Sequence, residues 1–235
     1  MTYNLNYRHN GPRETNAVDF HSPKIAIFGV SGFAREVADI CSLLGYYPIV
    51  FIDYLTPSTD VYFGFPVVSY SDIPRLVKEG YCFTIGIGSN VFREKVFKIH
   101  SDLLFTNIIH PTSSMGFKQS EFLRNNKGNI ITAGVRFTNN IQMGNFGIYN
   151  LNCTIGHDCI IDDFVNIAPG STISGNVKIK KGAYIGTNAA VIQGKSIDDK
   201  MTIGEFAVVG AGAVVTKDVD ANSVVVGVPA RGIKK

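Results

Sequence analysis

From residue 131 the chain carries an apolar side chain at every sixth position. Ile131, Phe137, Met143, Tyr149 and Ile155 open a series that runs through Ile161, Ile167, Ile173, Ile179, Ile185, Val191 and Ile197 to Ile203, Val209 and Val215. On a background that is 45% apolar, an unbroken run of this length has a chance on the order of 10⁻⁵ per phase. Four residues beyond each marker the side chain is mostly small or β-branched, as at Val135, Cys153, Val165, Val177, Ala183, Ala189 and Ala213. A helix or heptad coil cannot hold a strict period of six, whereas a solenoid with one short strand per hexad can.

Residues 24–53, "KIAIFGVSGFAREVADICSLLGYYPIVFID", have another pattern. An apolar run of strand length ends at a glycine turn, Val37, Ile40, Cys41 and Leu44 come next at helical spacing, and a second apolar run ends at Asp53. This is a βαβ unit. "SDIPRLVKEG" reads as a helix that Ser71 or Asp72 can cap, "CFTIGIGSN" as a third strand, and "VFREKVFKIH" as another helix. The expected division is a polar extension at 1–23, a Rossmann-like α/β parallel-sheet domain at 24–105, and the repeat domain with its C-terminal tail at 106–235.

Composition narrows the partners. Lys and Arg total 22 against 19 Asp and Glu, and no basic run is interleaved with aromatics, so neither nucleic acid nor membrane is expected as a partner. The first 23 residues lack the apolar stretch of a signal peptide and nowhere do 18 apolar residues run together, which predicts a cytoplasmic protein. Cys41, Cys82, Cys153 and Cys159 form no CxxC pair and sit in apolar segments, as buried reduced thiols do.

Hexads such as "IGHDCI", "IGTNAA" and "VGAGAV", the ending "SVVVGVPARGI" and the front motif "IFGVSGFAREV" carry a resemblance. From 24 to 233 the chain resembles the two-domain hexapeptide-repeat sugar acetyltransferases, which acetylate sialic acid or the amine of nucleotide-linked 4-amino sugars. The resemblance implies an all-β left-handed parallel β-helix with three strands, and so three hexads, per coil. It also implies acetyl-CoA as acyl donor, and a homotrimer with active sites between subunits.

His157 is the only histidine after His110, and Asp158 comes directly after it. With three hexads per coil its column reads Asn139, His157, Gly175, Gln193, so a side-chain-free residue stacks one strand spacing from the imidazole. Acyl transfer from a thioester needs a base near neutral pKa and an N–H donor for the developing oxyanion. By resemblance His157 is the general base, Asp158 holds its tautomer, the Gly175 amide meets the acetyl carbonyl and Asn150 lies near the acceptor. Asn166 stands where some relatives carry a second histidine. It can hydrogen-bond acetyl-CoA but cannot act as a base. A three-histidine zinc site, known on this fold, cannot be assembled from one histidine, so no metal is expected.

The resemblance places acetyl-CoA along a groove beside Gly186, Thr187, Gly210, Ala211 and Gly212, with Lys217, Arg231 or Lys234 at its phosphates. Between Gln193 and Met201 the stretch "QGKSIDDKM" either continues the coil, with Ile197 inside, or loops out and moves every later column by one face. In the front domain Gly29-x-x-Gly32-x-x-Arg35 falls short of a dinucleotide fingerprint. By resemblance Ser31, Gly32, Asp53, Gly88, Ser89 and Asn90 hold the nucleotide of the acceptor, with Phe33 in place of a polar residue, while His110 is structural.

The leading expectation is acetyl-CoA-dependent N-acetylation of a nucleotide-linked 4-amino-4,6-dideoxy sugar. O-acetylation of sialic acid or another sugar hydroxyl, a non-catalytic sugar-nucleotide-binding trimer, and a dehydrogenase are the alternatives.

Overall fold

The computed structural model describes residues 22–54 and 61–233. The extension expected at 1–23 and the phosphate contact expected of Lys234 therefore lie outside the described residues, but for positions 22 and 23. The front part holds strands β1 (Ile25–Phe28), β2 (Ile49–Ile52), β3 (Val61–Tyr62), β4 (Phe65–Val68) and β5 (Cys82–Ile85) in the order β3-β4-β2-β1-β5. All neighbours are parallel except the β3-β4 hairpin. Every residue of β1 and β2 is buried, which is why both read as continuous apolar runs rather than as alternation.

Helix α1 (Gly32–Leu43) lays Ala34, Val37, Ala38, Ile40 and Cys41 on this sheet. It lies so close that a β-carbon at Gly86 would sit 2.8 Å from Ala34 Cα. Helix α2 (Ile73–Lys78) comes after a 3-10 turn at Tyr70–Asp72, whose capping box joins Asp72 to Ser69 rather than to Ser71. Helix α3 (Asn90–Ile99) starts at Ser89, whose hydroxyl accepts from Phe92 N–H.

Beyond residue 107 the chain winds into a left-handed β-helix, a prism with three walls. The first wall stacks Ile108–Ile109, Ile130–Ile131, Ile148–Tyr149, Asn166–Ile167, Tyr184–Ile185, Val208–Val209 and Val224–Val226, and adds Arg231–Gly232 antiparallel at the end. The second runs from Ser114–Met115 to Val214–Val215, and the third from Gln142–Met143 to Met201–Ile203. The hexad markers point inward and join one core with Val135, Cys153, Cys159, Val177, Ala183, Ala189 and Ala213. At the corners, positive φ recurs at Gly128, Gly134, Asn140, Phe146, Asn152, Asp158, Phe164, Gly170, Asn176, Gly182 and Asn188, one residue in six. Asn, Asp and Gly tolerate that left-handed conformation at little cost.

One coil departs from the count. Ile160 pairs with Lys178, three hexads on, but Lys178 pairs with Thr202, four hexads on. The extra hexad leaves the winding between the second and third walls, and Ile197 is 53% exposed rather than in the core. Because the excursion is a whole hexad, Ile203, Val209 and Val215 still face inward. The segment 116–129, irregular in sequence, contains helix α4 (Gln119–Leu123), with Leu123 in the prism core. Cys41, Cys153 and Cys159 are buried free thiols, and Cys82 is half-buried. Among the described residues no helix is long and apolar enough to cross a membrane.

The front part is docked on the prism's first wall. Ile108, Ile130 and Ile148 pack in one cluster with residues of α1, β1 and β2. At the corner entering that wall Phe146 and Phe164 stack at 5.2 Å, and Phe97 of α3 lies 4.5 Å from Phe146.

Candidate active site

His157 lies at the corner where the second wall turns into the third, between Thr154–Ile155 and Ile160–Ile161. Its ring rests against Gly175. A β-carbon there would lie 2.6 Å from both Cε1 and Nε2, so only glycine leaves room for the imidazole. Among the described residues the Gly175 N–H has no acceptor, while its carbonyl accepts from Gly194 N–H at 3.1 Å. The imidazole is 56% exposed.

Asp158 has φ 60°, and this left-handed turn brings its carboxylate back beside its own neighbour, where Oδ2 lies 2.6 Å from His157 Nδ1. A carboxylate is only an acceptor, so Nδ1 is the donor, and in the neutral ring Nε2, the nitrogen against Gly175, is the one with a lone pair. The second carboxylate oxygen accepts from Asn140 Nδ2 at 2.5 Å. Asn140 and then His157 hold the Asp158 carboxyl below its ordinary pKa. From the far side Lys200 Nζ donates to the Asp158 carbonyl at 2.5 Å.

The other expected residues fall into separate groups. Asn150 accepts from Leu151 N–H at 2.8 Å at the start of the corner between the first and second walls. Gly186 and Thr187 lie at that same corner and stack on Gly210, Ala211 and Gly212, with Gly212 N–H donating to Thr187 O at 2.8 Å. Within one chain this edge is not the His157 edge. Lys217 and Arg231 line a cavity of about 290 Å³ at the prism's C-terminal end. In the front part Ser31 and Gly32 are exposed at the start of α1, and Asp53 accepts from Tyr54 N–H at 2.7 Å. His110 Nδ1 meets Thr112 Oγ1 at 2.9 Å in a turn.

Three of the expected residues have partners within the chain. Asn166 is 7% exposed and its amide donates to Gly88 O at 3.0 Å, at the junction of the two parts. Asn90 is likewise turned to the prism and donates to Gly182 O. The Ser89 hydroxyl caps α3. Gly88 and Ser89 are both exposed in this loop.

Arg93 has no counterpart among the residues that the sequence singles out. It is 1% exposed and donates to the carbonyls of Ile87 (3.1 Å), Gly88 (2.8 Å), Phe146 (3.1 Å), Phe164 (3.0 Å) and Val165 (3.3 Å). Burial lowers its pKa to about 9, which leaves the guanidinium charged at neutral pH. Asn140 and Lys200 are two further residues that sequence patterns did not single out. Asn140 stands one coil before Asp158, so the count of three hexads per coil contained it, whereas nothing in the sequence aims Lys200. Among the described residues no three His, Cys, Asp or Glu side chains group around a possible metal ion.

Residues 24–99 match the family model described as the PglD N-terminal domain. Over 180 residues the chain is 33% identical to a GDP-perosamine N-acetyltransferase of Escherichia coli O157:H7, covering 72% of this chain and 77% of that protein. WeeI from Acinetobacter baumannii AYE superposes with a TM-score of 0.79 at 32% identity over 90% of this chain and 100% of that one. PerB from Caulobacter crescentus, solved with CoA and GDP-perosamine, gives 0.76 at 27% identity over 90% and 97%. Likeness on this scale, running through both the front sheet and the prism, means that the chain belongs to the two-domain hexapeptide-repeat sugar acetyltransferases.

Proposed function

We propose that the protein moves an acetyl group from acetyl-CoA to the amine of a nucleotide-linked 4-amino-4,6-dideoxy sugar. The observation that carries the reading is the imidazole of His157 resting on Gly175, whose N–H lacks an acceptor among the described residues. The amine attacks the thioester carbonyl carbon, and His157 Nε2 takes the proton that the nitrogen loses. The Gly175 N–H receives the charge that develops on the carbonyl oxygen, a contact of about 2.7 to 4 kcal/mol where such a donor is preorganised. The C–S bond then breaks, and the proton passes from His157 to the leaving thiolate. Asp158, itself held by Asn140, keeps Nδ1 protonated and steadies the imidazolium.

An amine acceptor is favoured over a hydroxyl by the relatives named for amino-sugar N-acetylation and by the complex holding GDP-perosamine. The nucleotide would lie along the exposed backbone at Ser31, Gly32 and Gly88, near Asp53. Acetyl-CoA would lie along the Gly186–Gly212 edge. Since that edge and the His157 edge are apart in one chain, a neighbouring copy must supply one of them, which supports the trimer.

The test is His157→Asn in the full chain, assayed by thiol release with acetyl-CoA against GDP-, dTDP- and UDP-linked 4-amino sugars and against sialic acid. Turnover is expected with a nucleotide-linked amino sugar, and the variant should lose about 10² to 10⁴ of kcat with Tm and CoA affinity unchanged. Near-wild-type turnover in the variant removes His157 as the base. Turnover with sialic acid alone replaces N- by O-transfer.

A further inference from the structure

The coil above Gly175 carries one hexad more than the coil below it, and the surplus leaves the prism at the corner that holds His157. Gly194 N–H still reaches Gly175 O, and Met201 N–H reaches Asn176 O at 3.1 Å, so the rung closes while residues 195–200 project outward. The excursion has internal ties. Lys195 pairs with Asp199 at 3.0 Å, and Ser196 Oγ accepts from the N–H groups of Asp198 (3.3 Å) and Asp199 (3.1 Å). Its last side chain turns back, and the half-buried Lys200 sets its ammonium on the Asp158 carbonyl.

That carbonyl belongs to the residue whose left-handed backbone makes the His157–Asp158 contact possible. Adjacent side chains of an extended strand point to opposite faces. Only the reversal at Asp158 lets the carboxylate reach the ring beside it. A charge-assisted bond to the Asp158 carbonyl restrains the rotation of that peptide, and the ammonium also favours the ionised carboxylate.

We propose that Lys200 is a positioning residue: by holding the Asp158 carbonyl it fixes the corner whose carboxylate aims the His157 imidazole. The role rests on the reading of His157 as the transfer base, and its test has a substrate-free arm so that the two fail separately. Lys200→Met and Lys200→Arg are made in the full chain. Each is assayed with acetyl-CoA and GDP-perosamine, and each is labelled with ¹⁵N-histidine. In Lys200→Met kcat is expected to fall on the order of tenfold, the low end of what is lost when the hydrogen-bond partner orienting a metal-bound histidine is removed. KM for acetyl-CoA and Tm should hold, and Lys200→Arg should recover most of kcat. The ring-nitrogen shifts of His157 should be split in the wild type by the Nδ1 hydrogen bond and move toward the tautomer average in Lys200→Met.

Unchanged ring-nitrogen shifts overturn the role whatever the turnover. So does a kcat loss that arginine leaves in place while Tm falls, since that marks a merely structural tie. If the wild type acetylates no amino sugar while the shifts still move in Lys200→Met, the transferase reading falls and the positioning role stands.

Discussion

Two corners of the same prism solve the same backbone problem in opposite ways. Where the third wall turns into the first, the left-handed positions are Gly128, Phe146, Phe164, Gly182, Phe206 and Asn222. Where the second turns into the third, they are Asn140, Asp158 and Asn176. Phenylalanine gains nothing from a left-handed backbone, which costs roughly 1–2 kcal/mol in an L-residue. It persists there because Phe146 and Phe164 are buried against Phe97 and Phe105, and Arg93 gathers the carbonyls that the turns leave exposed. The polar corner has no such cover, so residues that adopt the turn cheaply occupy it. Their carboxylate and amides are then available to orient an imidazole. The difference teaches that one corner geometry serves as mortar when packed and as chemistry when open.

The sharpest way to break the contrast is Arg93→Met. It takes a donor away from five carbonyls, of which Gly88 O still has the Asn166 amide and Val165 O still has Ile148 N–H, and should cost about 3 to 5 kcal/mol of stability. A clear fall in Tm on thermal denaturation checks it, and an unchanged Tm would mean that the junction's other contacts hold the two parts together without it. Gly175→Ala sharpens the other side. The added carbon displaces the His157 ring, and because that ring is exposed it can swing outward without disturbing the core. Turnover should fall about 10²-fold with Tm nearly unchanged, since a small misplacement of a catalytic group costs on that order.

The smallest effect is electrostatic and belongs to the packed side. Glu94 Oε1 lies 2.8 Å from both Lys181 of the prism and Lys98 of its own helix. Lys181, then Lys98, hold the Glu94 carboxyl below its usual value of 4.5. The folded chain therefore binds this proton less readily than the unfolded one. The contribution is whole above the unfolded pKa and is lost as pH falls through the folded one. Wild-type Tm should drop more steeply than that of Glu94→Gln when both are scanned downward from about pH 5.

Much of this was legible beforehand. A strict six names the inward residues of all three walls, because each wall uses one inward side chain per short strand. Three hexads per coil then bring His157 to Gly175. The rest depends on contacts that the count does not encode. Arg93 reads as one more charge in "VFREKVFKIH", yet the fold turns it inward onto carbonyls from two parts of the chain. Asn166 falls on the docked wall, and wall assignment alone does not reveal what covers it. Ile197 keeps the phase of six but not the core, because a whole hexad can leave the winding without shifting the later markers.

The first strand of the third wall, Gln142–Met143, has no strand below it. Side-chain amides stand in for one: Gln119 exchanges hydrogen bonds with both backbone groups of Ile141, and Asn126 donates to Met143 O at 2.6 Å. At the opposite end the chain doubles back, and Arg231–Gly232 runs antiparallel to Val224–Val226. An open winding of strands is a template on which further copies can stack into a fibre. Each of these ties occupies backbone groups of a terminal strand that a further copy would otherwise pair with on that wall.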